Sequence, residues 1–380
     1  MKLRRFSCLL AGIVSIFIQG CASYSDSVRE LENAIINQNA EEGIRLLDEN
    51  RPATRDEALY QLNRAMLLRM NNQHELSNIA LERAKKLIEQ RESLSVTEQT
   101  STLIINETFT SFIGENYEQA LIYFYAALNY IQLGEIDEAR VEALQVDLLL
   151  KELTKKNPAS QEIYTDDALT RYLAGMIYEE LGEWSNALIS YRKSYEAYQK
   201  YASTFAVPPP PFLKKDLLRL TEQQGLQEEH RQYKDTFPQT TWLRKKQRQE
   251  RGEVIFILHN GLAPIKENKV LSMPSPDLSQ LLTIALPTYQ VRPDPVTSIA
   301  ITVAKQTFQA APVKDVAAIA TQNLESRLPW LTARALARAT IKYNIVKKVE
   351  KEQGELAGLI ANLATAVSEV ADTRSWITLP

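Results

Sequence analysis

Tyr123-Phe124-Tyr125-Ala126-Ala127-Leu128-Asn129-Tyr130, continued through Leu133-Gly134-Glu135-Ile136-Asp137-Glu138-Ala139, aligns with Tyr172-Leu173-Ala174-Gly175-Met176-Ile177-Tyr178, continued through Leu181-Gly182-Glu183-Trp184-Ser185-Asn186-Ala187. Each stretch reads as a helix, a glycine turn and a second helix. Glycine and proline are sparse from Ser25 to about Tyr201, and apolar residues recur at helical spacing, so this half is expected to be almost entirely α-helical. The small residues Ala127, Gly175, Ala139 and Ala187 sit where paired helices cross. Two helix axes approach to about 8–10 Å only over small side chains, and bulkier neighbours such as Tyr191 then fill the adjacent groove. An earlier, weaker unit contains Ala65, Leu68, Asn72 at its turn, Ser77 and Ala84, and another runs from Val28 to Leu47.

These matched units resemble tetratricopeptide repeats, which implies an α-solenoid with a concave surface made by the first helix of each pair. A generic helical bundle is the alternative. The 48-residue step from Gly134 to Gly182 exceeds the usual repeat, so an insert is expected around Lys155-Lys156-Asn157-Pro158. By register, the partner-binding groove comprises Leu62, Met66 and Arg69, then Phe124, Leu128 and Gln132, then Tyr172, Met176, Glu179 and Glu180. The competing reading has the C-terminal half packed into that groove with the same residues as core. Relatives that clamp a peptide carboxylate carry Asn where Leu128 and Met176 stand, so carboxylate clamping is not expected.

Residues 1–20 read as an export signal: Lys2, Arg4 and Arg5, an apolar run from Leu9 to Ile18, then Gly20 before Cys21. Ile18-Gln19-Gly20-Cys21 resembles the lipobox of bacterial lipoproteins, which implies cleavage before Cys21 and lipidation of that residue. Ala22 and Ser23, in place of an Asp, resemble the default sorting signal for the outer membrane of Gram-negative bacteria. A multiply acylated anchor is effectively permanent, since each buried methylene contributes about 0.8 kcal/mol.

Composition narrows the function classes. The 44 basic and 47 acidic residues give a formal charge of −3. Losing Lys2, Arg4 and Arg5 with the signal moves this to −6, which disfavours general nucleic-acid binding. The cysteines are Cys8, in the signal, and Cys21, so the mature chain has no thiol for a disulfide, a zinc site or a nucleophile. His74, His230 and His259 lack ligand spacing, and no cofactor or metal is expected. Glu179-Glu180 and Glu228-Glu229 are adjacent on helices and splay apart, so no catalytic pair is read from them.

Four prolines, Pro208 to Pro211, mark a domain edge, and the organisation expected is a repeat domain over 21–207, a proline-rich break and basic helical connector over 208–252, and an α+β domain over 253–380. The connector holds a helix from Leu213 to Tyr233 and a basic run, Arg244 to Arg251, read as a solvated face. Glu253–Leu258, ending in Asn260-Gly261, Leu281–Leu286 and Ser298–Val303 are expected to form a small antiparallel sheet. Helices follow over Val313–Leu328, Pro329–Glu352 and Glu355–Ala371. Asp372-Thr373-Arg374-Ser375-Trp376 reads as a structural clasp, carboxylate to guanidinium with a buried indole beside it.

With its lipobox, repeats and Ala371-Asp372-Thr373-Arg374-Ser375-Trp376 motif, the chain resembles a family of uncharacterised Gram-negative outer-membrane lipoproteins. Members of that family run on into another strand or hairpin, which implies a truncated gene or a short edge strand at Pro380. The function expected is a non-catalytic, periplasm-facing scaffold anchored at Cys21, docking an envelope protein in the groove. The alternative is a peptidoglycan-binding, glycan-binding or enzymatic module in the C-terminal half around Asp294, His259 or Trp376. A third reading has that half self-assembling through its edge strands.

Overall fold

The computed structural model describes residues 22–98, 110–156, 164, 166–275, 280–293, 296–303, 305–354, 357, 358, 360 and 369–380. The signal and Cys21, Asn157 and Pro158 of the insert, Asp294 and most of the helix expected over Glu355–Ala371 lie outside these residues.

Four successive helix pairs form the repeat array: α1 (Ala22–Ile36) with α2 (Ala40–Glu49), α3 (Glu57–Met70) with α4 (His74–Glu98), α5 (Asn116–Leu133) with α6 (Ile136–Lys156), and α7 (Ala168–Glu180) with α8 (Trp184–Thr204). Each helix packs chiefly on its neighbours in sequence, and α5 also touches α7, the geometry of a solenoid. The turns have the chemistry that helix termini need. Gly134 (φ 77°) and Gly182 (φ 73°) end the first helices of the later pairs, and Asn72 (φ 57°) serves α3, the left-handed position that glycine and asparagine tolerate. At the N-termini, Asn39 accepts from Glu42 N–H at 3.1 Å and Asp167 accepts from Thr170 N–H at 2.9 Å.

Small residues set the crossings. Ala65, Ala80, Ala84, Ala139 and Ala187 are buried. Gly175 lies directly under the Tyr191 ring, so a methyl group there would overlap ring carbons. Gly43 meets Leu67 in the same way, with 2.8 Å between an added Cβ and Leu67 Cδ2.

The core does not stop at the prolines. Pro211 occupies the first turn of α9 (Pro211–Gln223), where a missing N–H is harmless, with Pro210 as its extended N-cap. Leu213, Leu217, Leu218 and Leu220 are buried in the core shared with the repeats. The prolines expected to mark a domain edge thus lead into a helix that starts at Pro211, and α9 with α10 (Gln227–Thr236) adds a fifth pair. The single helix expected over Leu213–Tyr233 is two helices, broken at Gly225 (φ 71°). In the basic run only α11 (Lys245–Gln249) is helical.

The C-terminal region is α+β, and its strands differ from the expectation. β1 (Ile265–Ser275) pairs antiparallel with β2 (Gln280–Gln290) in the register Ile265↔Gln290, and β3 (Ala300–Val303) pairs with β4 (Gln306–Gln309) as a separate hairpin. Glu253–Leu258 joins neither hairpin: it is extended, and no hydrogen bond reaches its backbone among the described residues. Val254 to Leu258 are 40–74% exposed. The run is rich in strand-forming residues, but hairpin partners are chosen by tertiary context. α12 (Val316–Gln353) replaces the two helices expected around Pro329 and runs through that proline. Its Ala335 and Ala339 pack on Ile284 of β2. Among the described residues no helix is long and apolar enough to cross a membrane.

Candidate functional site

The first helices of the pairs present the residues expected to form the groove, and most of these are covered by the chain itself. Leu62 and Met66 on α3, Phe124 and Leu128 on α5, and Tyr172 and Glu179 on α7 are all buried. Arg69 and Met176 are half-buried, and only Gln132 and Glu180 face solvent. An open apolar groove is therefore corrected to a filled one. Unpaired apolar side chains on a concave surface gain most by being covered, and two parts of the chain do this.

Over α7 the cover is α9. Phe212 packs on Tyr172 with ring centroids 5.0 Å apart and the planes tilted by 42°, and the Tyr172 hydroxyl donates to Asp216 at 2.7 Å. Glu179 accepts from Arg219 at 2.7 Å, from the Tyr191 hydroxyl at 3.0 Å, and from Arg248 of the basic run. Burial raises the Glu179 pKa, but the two guanidiniums outweigh it and leave the carboxyl below its ordinary value. Glu180 points away, as expected of neighbours on a helix.

Over α3 and α5 the cover is the C-terminal segment, in extended and turn conformation from Val370 to Pro380. The Trp376 indole N–H donates to Leu62 O at 3.0 Å and to Thr378 Oγ1 at 3.1 Å. Its ring meets Tyr125 edge-on at 6.1 Å, and His259 meets the same tyrosine at 5.3 Å. The Trp376 backbone N–H donates to Glu118 at 2.8 Å, and the Thr378 N–H donates to Asn63 Oδ1 at 3.2 Å. The Thr378 hydroxyl donates to the same oxygen at 3.0 Å. Leu379 is fully buried, and its carbonyl accepts from Ala263 N–H at 2.7 Å. Arg292 donates to the Ile377 and Ala263 carbonyls at 2.8 and 2.6 Å.

The expected clasp is present and extends further than the motif. Arg374 donates to both Asp372 oxygens at 2.9 and 2.6 Å, and also to Asp56 at 2.7 Å and Thr110 O at 2.8 Å. It thereby ties the segment to the start of α3.

Two carboxyls beside this segment are driven apart. Glu118, fully buried, is pushed up to about 7 chiefly by burial, with the Glu115 charge adding to the rise. Burial also raises Glu115, which is less enclosed, but Lys266 and Arg327 bind it and hold it at about 2. His259 is pushed down to about 4 by burial and by Arg69. His259 meets Tyr125 edge-on, and Trp376 lies in the core. Asp294 is outside the described residues.

Among the described residues no cluster of His, Cys, Asp and Glu could hold a metal. A surface cleft of about 540 Å³ lies elsewhere, between α4 and the α5–α6 turn, lined by Ile79, Tyr130 and Leu133 with Glu75, Glu82, Arg83 and Lys86. The polar residues Asp56, Asn63 and Glu118, which hold the segment, escaped the sequence reading. Asn63 had a faint signal, an amide beside Leu62 within the largely apolar stretch Leu59–Leu68. What this face does chemically is bind non-helical backbone: side chains of α3 and α5 accept the N–H groups of residues 376 and 378.

No model of a protein family matches the chain, and no curated protein matches it. Among solved structures it is similar to a Podosopora anserina protein of nearly identical TPR-like repeats, named as a kinesin light chain, at 14% identity and a TM-score of 0.35 over 56% of this chain and 92% of that one.

Proposed function

We propose that this protein is a non-catalytic interaction scaffold, anchored at Cys21 in the outer membrane of a Gram-negative envelope and facing the periplasm. The observation that carries the scaffold is the face of α3 and α5, whose side chains bond the backbone of a non-helical segment, a means of recognising peptides without regard to chemistry at a reacting atom. Support for the anchor is the basic start, short apolar run and Ile18-Gln19-Gly20-Cys21 of the sequence. The partner is an envelope protein.

The test is in-cell photocrosslinking from solvent-facing positions, Gln132, Glu180 and Phe256, combined with Cys21→Ser. A discrete protein adduct that disappears when Cys21→Ser releases the chain from the membrane fraction is expected. Absence of any protein adduct from all three positions would remove the scaffold reading, and unchanged fractionation of Cys21→Ser would remove the anchor.

A further inference from the structure

The segment over α3 and α5 is held unlike the rest of the core. It contributes no helix or strand, and its partners lie more than 250 residues away in sequence: Trp376 on Leu62 and Glu118, Thr378 on Asn63, Arg374 on Asp56. Four features of the site repeat the logic of a peptide receptor. The α3–α5 crevice receives an indole and supplies an acceptor, Leu62 O, for its N–H. Glu118 and Asn63 accept the backbone N–H groups of Trp376 and Thr378, at the start and inside of a turn that the Leu379 N–H closes onto Trp376 O at 3.2 Å. Asp56 takes a guanidinium two residues before the tryptophan. Leu379 closes the array in a fully buried position. The groups that hold Arg374, the Trp376 indole and the N–H groups of residues 376 and 378 are on the repeat array, while Arg292 and Ala263 hold the carbonyls of Ile377 and Leu379.

We infer that this face is a peptide-binding site specific for an Arg-x-Trp-x-Thr-Leu segment that turns at its Trp-x-Thr-Leu end, filled in cis by residues 374–379 and able to take the same segment from a second copy of the chain. This deepens the scaffold reading and rests on it. Exchange of identical segments between copies adds no new contact type, since the receptor and the ligand are already present in every chain. The cis segment is a competitor at high effective concentration, so the site is closed to peptides in trans until that segment is weakened.

The test uses the full chain carrying Trp376→Ala and a fluorescent peptide of residues 371–380. Binding of the peptide to the variant is expected, with at least tenfold weaker binding to the unmodified chain, where the cis segment competes. A peptide carrying the same Trp→Ala change is expected to lose at least thirtyfold. Should the variant fail to fold, excess peptide is expected to restore its far-ultraviolet dichroism and raise its melting temperature by mass action. A folded variant that ignores the peptide, an unfolded variant that the peptide does not rescue, or equal binding by both peptides overturns the inference. Crosslinked partners from Gln132, Glu180 or Phe256 would still stand in that event, so failure of the peptide site and failure of the scaffold reading are told apart.

Discussion

Glu118 serves two ends of the chain at once: one carboxyl oxygen accepts the Trp376 backbone N–H at 2.8 Å, and the other accepts the Glu115 N–H at 2.7 Å, capping α5. The same side chain thus starts a helix of the array and holds the C-terminal segment onto it. Because it is fully buried, its protonation is linked to the integrity of both.

The linkage has a definite sign. The Glu118 pKa rises from 4.5 to about 7 on folding, so the folded state binds the extra proton and this group's contribution to stability grows as pH falls from about 7 to about 4.5. His259, lowered from 6.5 to about 4, opposes it, losing stability over the range from 6.5 down to 4. Urea denaturation of the parent and Glu118→Gln across pH 5 to 8 separates the two. The difference between them is expected to change by on the order of 2–3 kcal/mol across that window. A pH-independent difference would show that Glu118 does not titrate there.

Trp376 supplies both bulk and a donor. Trp376→Ala is expected to cost about 3–5 kcal/mol, the usual range for emptying a buried aromatic site. Trp376→Phe fills much of the space but leaves Leu62 O without its indole partner, and about 1–3 kcal/mol is expected from that loss together with the smaller ring. Chemical denaturation of the two variants, compared side by side, checks the order. Equal losses would mean that the bulk of the ring contributes nothing beyond the indole hydrogen bond.

Gly175 has no room for a methyl group because the Tyr191 ring rests on it. Gly175→Ala is expected to destabilise by about 1–3 kcal/mol through overpacking, although alanine is the better helix former. In the Tyr191→Leu background the same change should cost distinctly less, a non-additivity that a double-mutant cycle measures.

Lys85 and Glu142 form an ion pair at 2.6 Å between α4 and α6, with both side chains about 4% exposed. Lys85 also reaches Glu82 at 2.5 Å and lies over the Tyr123 ring. Lys85→Met alone strands the Glu142 carboxylate and is expected to cost about 3–5 kcal/mol. Lys85→Met with Glu142→Leu should recover most of the loss, read as a melting temperature near that of the parent. A double variant no better than the single one would show that the pair does more than neutralise itself.

Much of the array was legible because a helical repeat is encoded locally. Ala127, Gly134 and Ala139, and Gly175, Gly182 and Ala187, mark crossings and turns that depend only on residues within one pair. The Asp372–Arg374 clasp was legible for the same reason, being two residues across. Glu253–Leu258 shows where local information ends. Its composition specifies extended backbone, yet pairing belongs to whichever edge lies alongside, and here the polar run Ile265–Ser275 pairs with β2 in its place. Pro208 to Pro211 misled in the opposite direction. Proline forbids a helix interior but suits a helix start, and only the burial of Leu213 and Leu217 beyond it reveals that the core continues.

Sequence alone determined the helix pairs, their turn residues and the small side chains at their crossings, since these follow from steric rules that act over a few residues. The tertiary structure decided what the concave face holds. Leu62, Met66, Phe124 and Leu128 have the same periodicity whether a partner or the chain itself covers them. Whether they are free depends on Trp376 and Leu379 arriving from the far end of the chain, a choice made by long-range burial that no local pattern records.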